Sequence, residues 1–459
     1  MLPVLVVMAC EGDDDAPIQT QPDGATGGSS GTGGSSGATS SSSGGGGPAG
    51  ASVSVAVELA HASLGAAPFD QPRTLQVPPG FGVRVFARVP EARFLLPLPD
   101  QSVLVSRPGA GEIARVTPAS GGDAPTVSTF ASGLLRPHDM SLVERGGQTW
   151  LYVSESRRIV RFAFTGGATS VSSPEVLVDN LPDDSNEELG SSYGHPLKNF
   201  AVRGDKMYVA VASQSNADPR ERDMSQVSMM RAAVYEYSLD GGEGVLYGRG
   251  LRNAEGLAIS PEGDLWAVVN NRDNARYPYQ DGVYEYGALV QEFVNDYPPE
   301  PFVKVTKDSD FGWPFCNPNP STASGRTNMP FDRDYENNRD GDKLDCAALA
   351  PMMKGFEAHA APLGFSFWSG GPGDYANGAV AGLHGCWNCS TPRGYKVAMF
   401  PWQNGGPGAE ITLIDGFLSE AGNKDSRWAR PVDVVSYTEG SLLISDDFAG
   451  TVFQLYVKP

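Results

Sequence analysis

GLAISPEGDLWAV, residues Gly256–Val268, sets an apolar run against a second apolar run across a Ser-Pro-Glu-Gly-Asp turn. Alternating side chains on both sides of a tight turn describe a pair of half-buried strands, since successive residues of a strand face opposite ways. The phrase recurs at Phe94–Val105, Asp139–Val153, Asn199–Val209 and Val432–Ile444, with a weaker copy at Pro362–Leu383. The interval is roughly 50–60 residues, apart from a longer stretch that holds residues 270–360. A unit of this size cannot bury its own apolar face, so copies must pack on one another. Four strands per unit suit propeller blades. Six copies therefore predict an all-β chain folded as a six-bladed β-propeller with four-stranded blades, over residues 61–459. Its closing strand can come from either terminus.

Outward from the repeats, the chain of 459 residues carries 54 acidic and 34 basic side chains, a formal charge of −20. That balance excludes nucleic acid as a partner, because phosphate binding relies on Lys and Arg, and it disfavours docking on anionic lipid through a basic patch. No run reaches the ~18 apolar residues of a membrane-spanning helix. From Gly24 to Gly50, 20 of 27 positions are Gly or Ser. Such a segment cannot offset its ordering entropy by burial, so residues 11–60 are expected to form a disordered tether spanning roughly 35–40 Å. Residues 1–10, MLPVLVVMAC, resemble the end of a bacterial lipoprotein signal with Cys10 as the lipidated thiol, although the basic region that opens a signal is missing. The expectation is a lipid-anchored protein of the bacterial cell envelope, on its periplasmic or outer surface.

Beyond Cys10 there are four cysteines, Cys316, Cys346, Cys386 and Cys389. Two disulfides suit an oxidising compartment. Cys316–Cys346 with Cys386–Cys389 is the simplest of three pairings, and a four-thiolate zinc site is the alternative. Covalent haem is excluded, because Ser390 stands where C-x-x-C-H needs histidine. His61 precedes the repeats, whereas His138, His195, His359 and His384 each stand at the start or end of a repeated phrase, where side chains reach one mouth of a propeller channel.

GLRNAEGLAISPEGDLW (Gly250–Trp266) resembles the G-L-R-N-P-x-G-L-A signature of the soluble quinoprotein glucose/sorbosone dehydrogenases. NNRD (Asn270–Asp273), FGWP (Phe311–Pro314), HAAPLG (His359–Gly364), LHGCWN with PRGYKV (Leu383–Val397) and RPVDV…SLLISDD (Arg430–Asp447) follow in the family's order. The resemblance runs from about Leu75 to the C-terminus and is nearest the sorbosone-dehydrogenase branch. It implies a six-bladed propeller that oxidises an aldose or sorbosone-like sugar with pyrroloquinoline quinone (PQQ), a planar tricarboxylate carrying an ortho-quinone. Ca²⁺ acts in this family as Lewis acid at the quinone oxygen. Electrons leave to an acceptor outside the chain, a cytochrome or a quinone.

By motif position the resemblance makes His195 the general base and puts Arg252 and Asn253 against the quinone. It gives the carbonyls of Asn271 and Arg272 to Ca²⁺, with Asp273 nearby, and makes Arg430 a partner of a cofactor carboxylate. Lys198 stands where the branch has Arg, so the charge is kept and the planar fork lost. Where the branch reads H-G-S-W-N-R, this chain has His384, Gly385, Cys386, Trp387, Asn388 and Cys389. Asn388 keeps its place among the cofactor residues, but one cation is gone, with Arg393 or Lys396 as candidate replacements. That loss keeps open an alternative: a non-catalytic cell-surface propeller that binds glycan or protein. A calcium-dependent lactone hydrolase, a third option, lacks its acidic ligand set here. Between Cys316 and Cys346, Asp332, Asp334, Glu336, Asn338, Asp340 and Asp342 alternate; the expectation is a solvated acidic loop, with Ca²⁺ chelation as its alternative.

Overall fold

Each copy of the repeated phrase forms one antiparallel hairpin, and each hairpin is the inner half of one blade. A computed structural model describes residues 52–459 apart from 187, 191, 321–323 and 439. The innermost strands of blades 1 to 6 are Leu95–Pro97, Met140–Arg145, Phe200–Arg203, Asn253–Ile259, Pro362–Ser369 and Pro431–Ser436. Successive strands run outward from each, and blades 1 and 2 have four strands apiece. Blade 6 takes its fourth strand from the N-terminal side of the chain. Phe81–Arg88 pairs antiparallel with Thr451–Val457, in register from Phe81↔Val457 to Arg88↔Thr451. The expected six-bladed propeller is the fold.

Residues expected in the tether extend that seam. Val53–Leu59 is a strand, paired parallel to Phe81–Arg88 and antiparallel to Thr74–Val77. The boundary placed at residue 60 therefore moves back to Val53, because VSVAVEL alternates as a strand and finds an open edge to pair with. Cys10 and the Gly/Ser run from 24 to 50 lie outside the described residues.

Blades meet through their apolar faces. Between blades 4 and 5, Phe302 lies 5.5 Å from Phe365 and 5.2 Å from Phe400, ring centre to ring centre. Such pairs each add about 0.5–1.5 kcal/mol beyond the area they bury. Nearer the axis the joints are polar and repeated. Asp433 of blade 6 accepts from the Leu95 amide of blade 1 at 2.9 Å, and Asp139 of blade 2 accepts from the Phe200 amide of blade 3 at 3.0 Å. The hydroxyls of Ser445 and Ser154 donate to the Arg93 and Lys198 carbonyls in the same two joints. Asn270 does the same from blade 4 to the Pro362 carbonyl of blade 5.

The long stretch between the fourth and fifth repeats is an elaboration of blade 4. Disulfides join Cys316 to Cys346 and Cys386 to Cys389, so the simplest pairing holds and the four-thiolate alternative falls. The acidic alternation does not converge on one point. Asp334 and Glu336 pair with Arg272, Asp332 accepts from the Tyr279 hydroxyl, and Asn338 is buried and bonds the Lys343 amide and the Leu344 carbonyl. Among the described residues no group of three or more His, Cys, Asp or Glu side chains is placed to hold a metal.

Asp433→Ala strands the buried Leu95 and Val434 amides that the carboxyl now satisfies. An unsatisfied buried donor costs about 1–3 kcal/mol, so urea unfolding is expected to shift to lower midpoint by at least that amount. Asp433→Asn, which retains one acceptor, is expected to lose less.

Candidate active site

The start of an innermost strand and the end of its hairpin partner lie at the same end of a blade, so six blades bring twelve chain segments to one mouth. Those segments carry Arg93, His138, His195, Lys198, Arg252, Asp273, His359, His384, Arg430 and Asp447. Apart from Arg93, Asp273, Arg430 and Asp447, which are partly covered, each of these is buried. All four histidines expected at blade ends are here.

His195 faces the Ser213 carbonyl through Nδ1 at 2.8 Å. A carbonyl only accepts, so Nδ1 carries the proton and Nε2 keeps its lone pair. Burial, then the adjacent Arg252, lower its pKa to about 3. The imidazole is thus neutral at physiological pH and oriented as an acceptor. Arg252 donates to the carbonyl and side-chain oxygens of Asn216, each at 3.1 Å, and pairs with Asp273 at 3.3 Å.

Asp273 turns its other oxygen to His359 Nδ1 at 3.4 Å, while His359 Nε2 meets the Val294 and Tyr297 carbonyls at 2.6 and 3.2 Å. Acceptors on both sides favour the doubly protonated ring. Burial opposes that charge, but the Asp273 bond and charge outweigh it and the His359 pKa rises. A second chain runs through Arg93, which pairs with Asp447 at 2.9 Å and lies 3.8 Å from Glu255. His384 Nε2 meets Asp447 at 2.8 Å, and burial, then Arg430, lower its pKa to about 4. Arg430 donates to the His384 and Gly385 carbonyls at 2.9 and 3.1 Å.

Lys198 is fully buried. Its ammonium donates to the Pro196 carbonyl at 2.6 Å, and among the described residues no carboxylate lies within ion-pair distance. Burial lowers its pKa to about 7. Asp183, Glu255 and Asp184 act on it only from beyond contact and do not offset the burial, so the ammonium suits an anionic ligand whose carboxylate would. Asn253 is buried and donates toward Glu255 at 3.4 Å. Asn388 donates to Asn274 at 3.3 Å while its buried Oδ1 has no hydrogen-bond partner. In the Asn271–Arg272 turn, neither carbonyl accepts a backbone hydrogen bond among the described residues. The Arg272 side chain is turned away, to Asp334 and Glu336. These donors fit a small polycarboxylate and a hard cation held by carbonyl oxygens.

Arg393 is not gathered with this set: it pairs with Asp296 at 2.8 Å. Lys396 sits between Glu357 and Glu410 at 3.2 and 2.8 Å. Neither replaces the cation that Cys389 displaces. Arg93, Asn216 and Glu255 belong to the site without having been singled out in the sequence. Arg93 immediately precedes a repeated phrase, as His138 does and Arg430 nearly does, which is a usable signal. Asn216 has none.

The model of the family described as TrAA12-like matches residues 76–458. The chain belongs to the TrAA12-like family. A pyrroloquinoline quinone-dependent pyranose dehydrogenase of Coprinopsis cinerea is 28% identical to this TrAA12-like chain over 276 residues, 53% of the chain and 36% of that protein. An uncharacterized protein of Borreliella burgdorferi is 35% identical over 112 residues, 24% of the chain and 29% of that protein. The aligned part is thus about a third of the length of these curated relatives. Among solved structures, the Trichoderma reesei carbohydrate-active enzyme of family AA12 superposes with a TM-score of 0.67 at 20% identity, covering 83% of this chain and 97% of that one. The holo PQQ domain of the Coprinopsis cinerea pyranose dehydrogenase gives 0.66 at 19%, covering 83% and 96%. The TrAA12-like fold is therefore shared with PQQ-dependent sugar dehydrogenases, as the sequence motifs implied.

His195 and His384 stay neutral in the folded protein at pH values where the unfolded chain protonates them. Their contribution to stability is present above pH ~6.5 and is lost as pH falls through the folded values. Unfolding free energy is expected to fall from pH 6.5 to 4, and His195→Gln to make that fall shallower in urea titrations at each pH.

Proposed function

We propose that this protein oxidises an aldose or related sugar with PQQ and Ca²⁺, His195 accepting the proton of the sugar hydroxyl. The observation that carries the reading is Lys198, buried with no carboxylate within ion-pair distance among the described residues, beside a neutral imidazole that Ser213 holds with its lone pair outward. Lys198, Arg252, Asn253, Arg430 and Asn388 would hold the cofactor, and the Asn271 and Arg272 carbonyls the cation. When bound, the quinone supplies the two-electron acceptor that no side chain of the chain provides. His195 takes the proton at Nε2, and the Ser213 carbonyl stabilises the imidazolium that results. Arg252, fixed by Asn216 and Asp273, keeps a positive charge beside the place where negative charge develops. An acceptor outside the chain would take the electrons, and Cys10 would anchor the protein in the cell envelope.

The second reading, a glycan- or protein-binding propeller without catalysis, is favoured by one observation: Arg393 and Lys396 are committed to carboxylates, and the ammonium at the Cys389 turn, Lys424, is bonded to the Trp387 and Cys389 carbonyls. Reconstitution with PQQ and Ca²⁺ followed by dye reduction over an aldose panel separates the two. Turnover supports the dehydrogenase; no quinone binding at micromolar cofactor sinks it and supports the alternative. His195→Ala is expected to lower kcat by about 10²–10⁴-fold while changing PQQ affinity only a few-fold. Unchanged turnover would refute the assignment.

Lys198 also sets a pH dependence. Its charged form is favoured by a carboxylate ligand, so PQQ affinity is expected to fall as pH rises through about 7, with proton uptake on binding at pH 8. Lys198→Met should weaken binding at pH 6 and remove the dependence, read by calorimetry in two buffers of different ionisation enthalpy.

A further inference from the structure

Two elaborations of blade 4 meet on the mouth side, and their contacts hold a cavity that the site above does not use. One is the loop after Asp273, with Tyr277, Tyr279, Tyr284 and Tyr286 within ten residues; the other is the segment around Tyr335, inside the Cys316–Cys346 bridge. Tyr279 bonds Asp332, Arg276 pairs with Glu336 at 3.2 Å and bonds the Gly287 carbonyl at 3.1 Å, and Arg272 reaches from the mouth turn to Asp334 and Glu336. Between the two lies a cavity of about 290 Å³ lined by Pro278, Gln280, Tyr286, Arg333, Tyr335 and Arg339. That is near the lower end of the ~300–1,000 Å³ typical of small-molecule sites.

Its lining is fixed. Tyr286 and Tyr335 meet edge to face at 4.8 Å, and the Arg339 guanidinium lies over the Tyr335 ring at 4.2 Å. Gly287 has a positive φ of 84°, and a Cβ there would sit 2.2 Å from the Tyr335 ring; at Gly341, φ 76°, a Cβ would meet the Arg333 guanidinium at 2.5 Å. Glycine at both places lets a ring and a guanidinium lie flat on backbone. Asp334 on the wall is neutralised by Arg272, which leaves the exposed planar ends of Gln280, Arg333 and Arg339 facing the space beside the two tyrosines.

We propose that this cavity is a sugar-binding subsite, so that the substrate is an oligosaccharide whose terminal residue enters the mouth while a neighbouring residue rests against Tyr286 and the ends of Gln280, Arg333 and Arg339, with Tyr335 held between Arg339 and the Gly287 backbone. Aromatic rings cover the apolar face of a pyranose, and planar amide and guanidinium groups pair its hydroxyls in twos. The side chain of Arg272 runs from the mouth turn to Asp334 on the cavity wall, so one residue links the two places. The proposal deepens the sugar-oxidation reading and rests on it for the word substrate.

Calorimetry of the full chain without quinone, using maltotriose, cellotriose and xylotriose beside glucose and xylose, reads the subsite apart from the redox chemistry. At least one trisaccharide is expected to bind tenfold or more tightly than its monosaccharide, with a loss of fivefold or more in Tyr335→Ala and in Arg333→Ala. Arg333 is exposed, so its variant carries the test if Tyr335→Ala lowers the melting temperature. In the loaded enzyme, Arg333→Ala should raise KM for that trisaccharide at constant kcat and leave monosaccharide kinetics unchanged. No preference for any trisaccharide, or a preference that survives Arg333→Ala, overturns the subsite even if monosaccharides are oxidised. Trisaccharide binding lost in Arg333→Ala, in a chain that does not bind quinone, upholds the subsite and removes the redox reading.

Discussion

A ring of blades closes only where the two ends of the sheet series meet, and here that joint is one antiparallel pairing, Phe81–Arg88 against Thr451–Val457. Blade 6 is assembled from both sides of the chain, so no local segment can complete it. The mouth depends on this joint directly. Arg93, a few residues beyond the closing strand, pairs with Asp447, in the turn before the final strand. Asp433 and Ser445 fasten the same seam to blade 1. Closure therefore brings into contact the charged groups that define one half of the site, and a defect at the seam is a defect at the mouth.

The mouth tolerates so many buried charges because nearly every one is paired, as the cost of isolated burial demands. Arg252, Asp273 and His359 form one chain, and Arg93, Asp447 and His384 another. The exceptions carry the functional argument. His195 is neutral with its acceptor nitrogen presented, and Lys198 is charged or neutral near pH 7 with no carboxylate partner among the described residues. On the proposed reading, one would receive a proton and the other an anion.

Much of this is legible in the sequence alone, for a definite reason. Each repeated phrase is one inner hairpin, and a hairpin states its own register through alternation and turn residues. The histidines at phrase ends followed from that, since hairpin ends project to the mouth. Arg93 and Asn216 were missed because their roles arise from contacts between blades, which no local pattern encodes. Val53–Leu59 was missed for a different reason: its alternation is plain, but it follows directly on a Gly/Ser run. The acidic stretch from Asp332 to Asp342 read as solvated or calcium-binding because its arginine partners, Arg272 and Arg276, lie some 60 residues earlier.

The central claim is that the mouth holds a tricarboxylate quinone against Lys198, Arg252 and Arg430. Equilibrium titration of the metal-supplemented wild-type chain with PQQ at pH 6.5, followed by the absorbance of the quinone, tests it most directly. The account predicts saturable binding with one quinone per chain at micromolar cofactor or below, weakened by Arg430→Ala. No saturable binding at that concentration would contradict it.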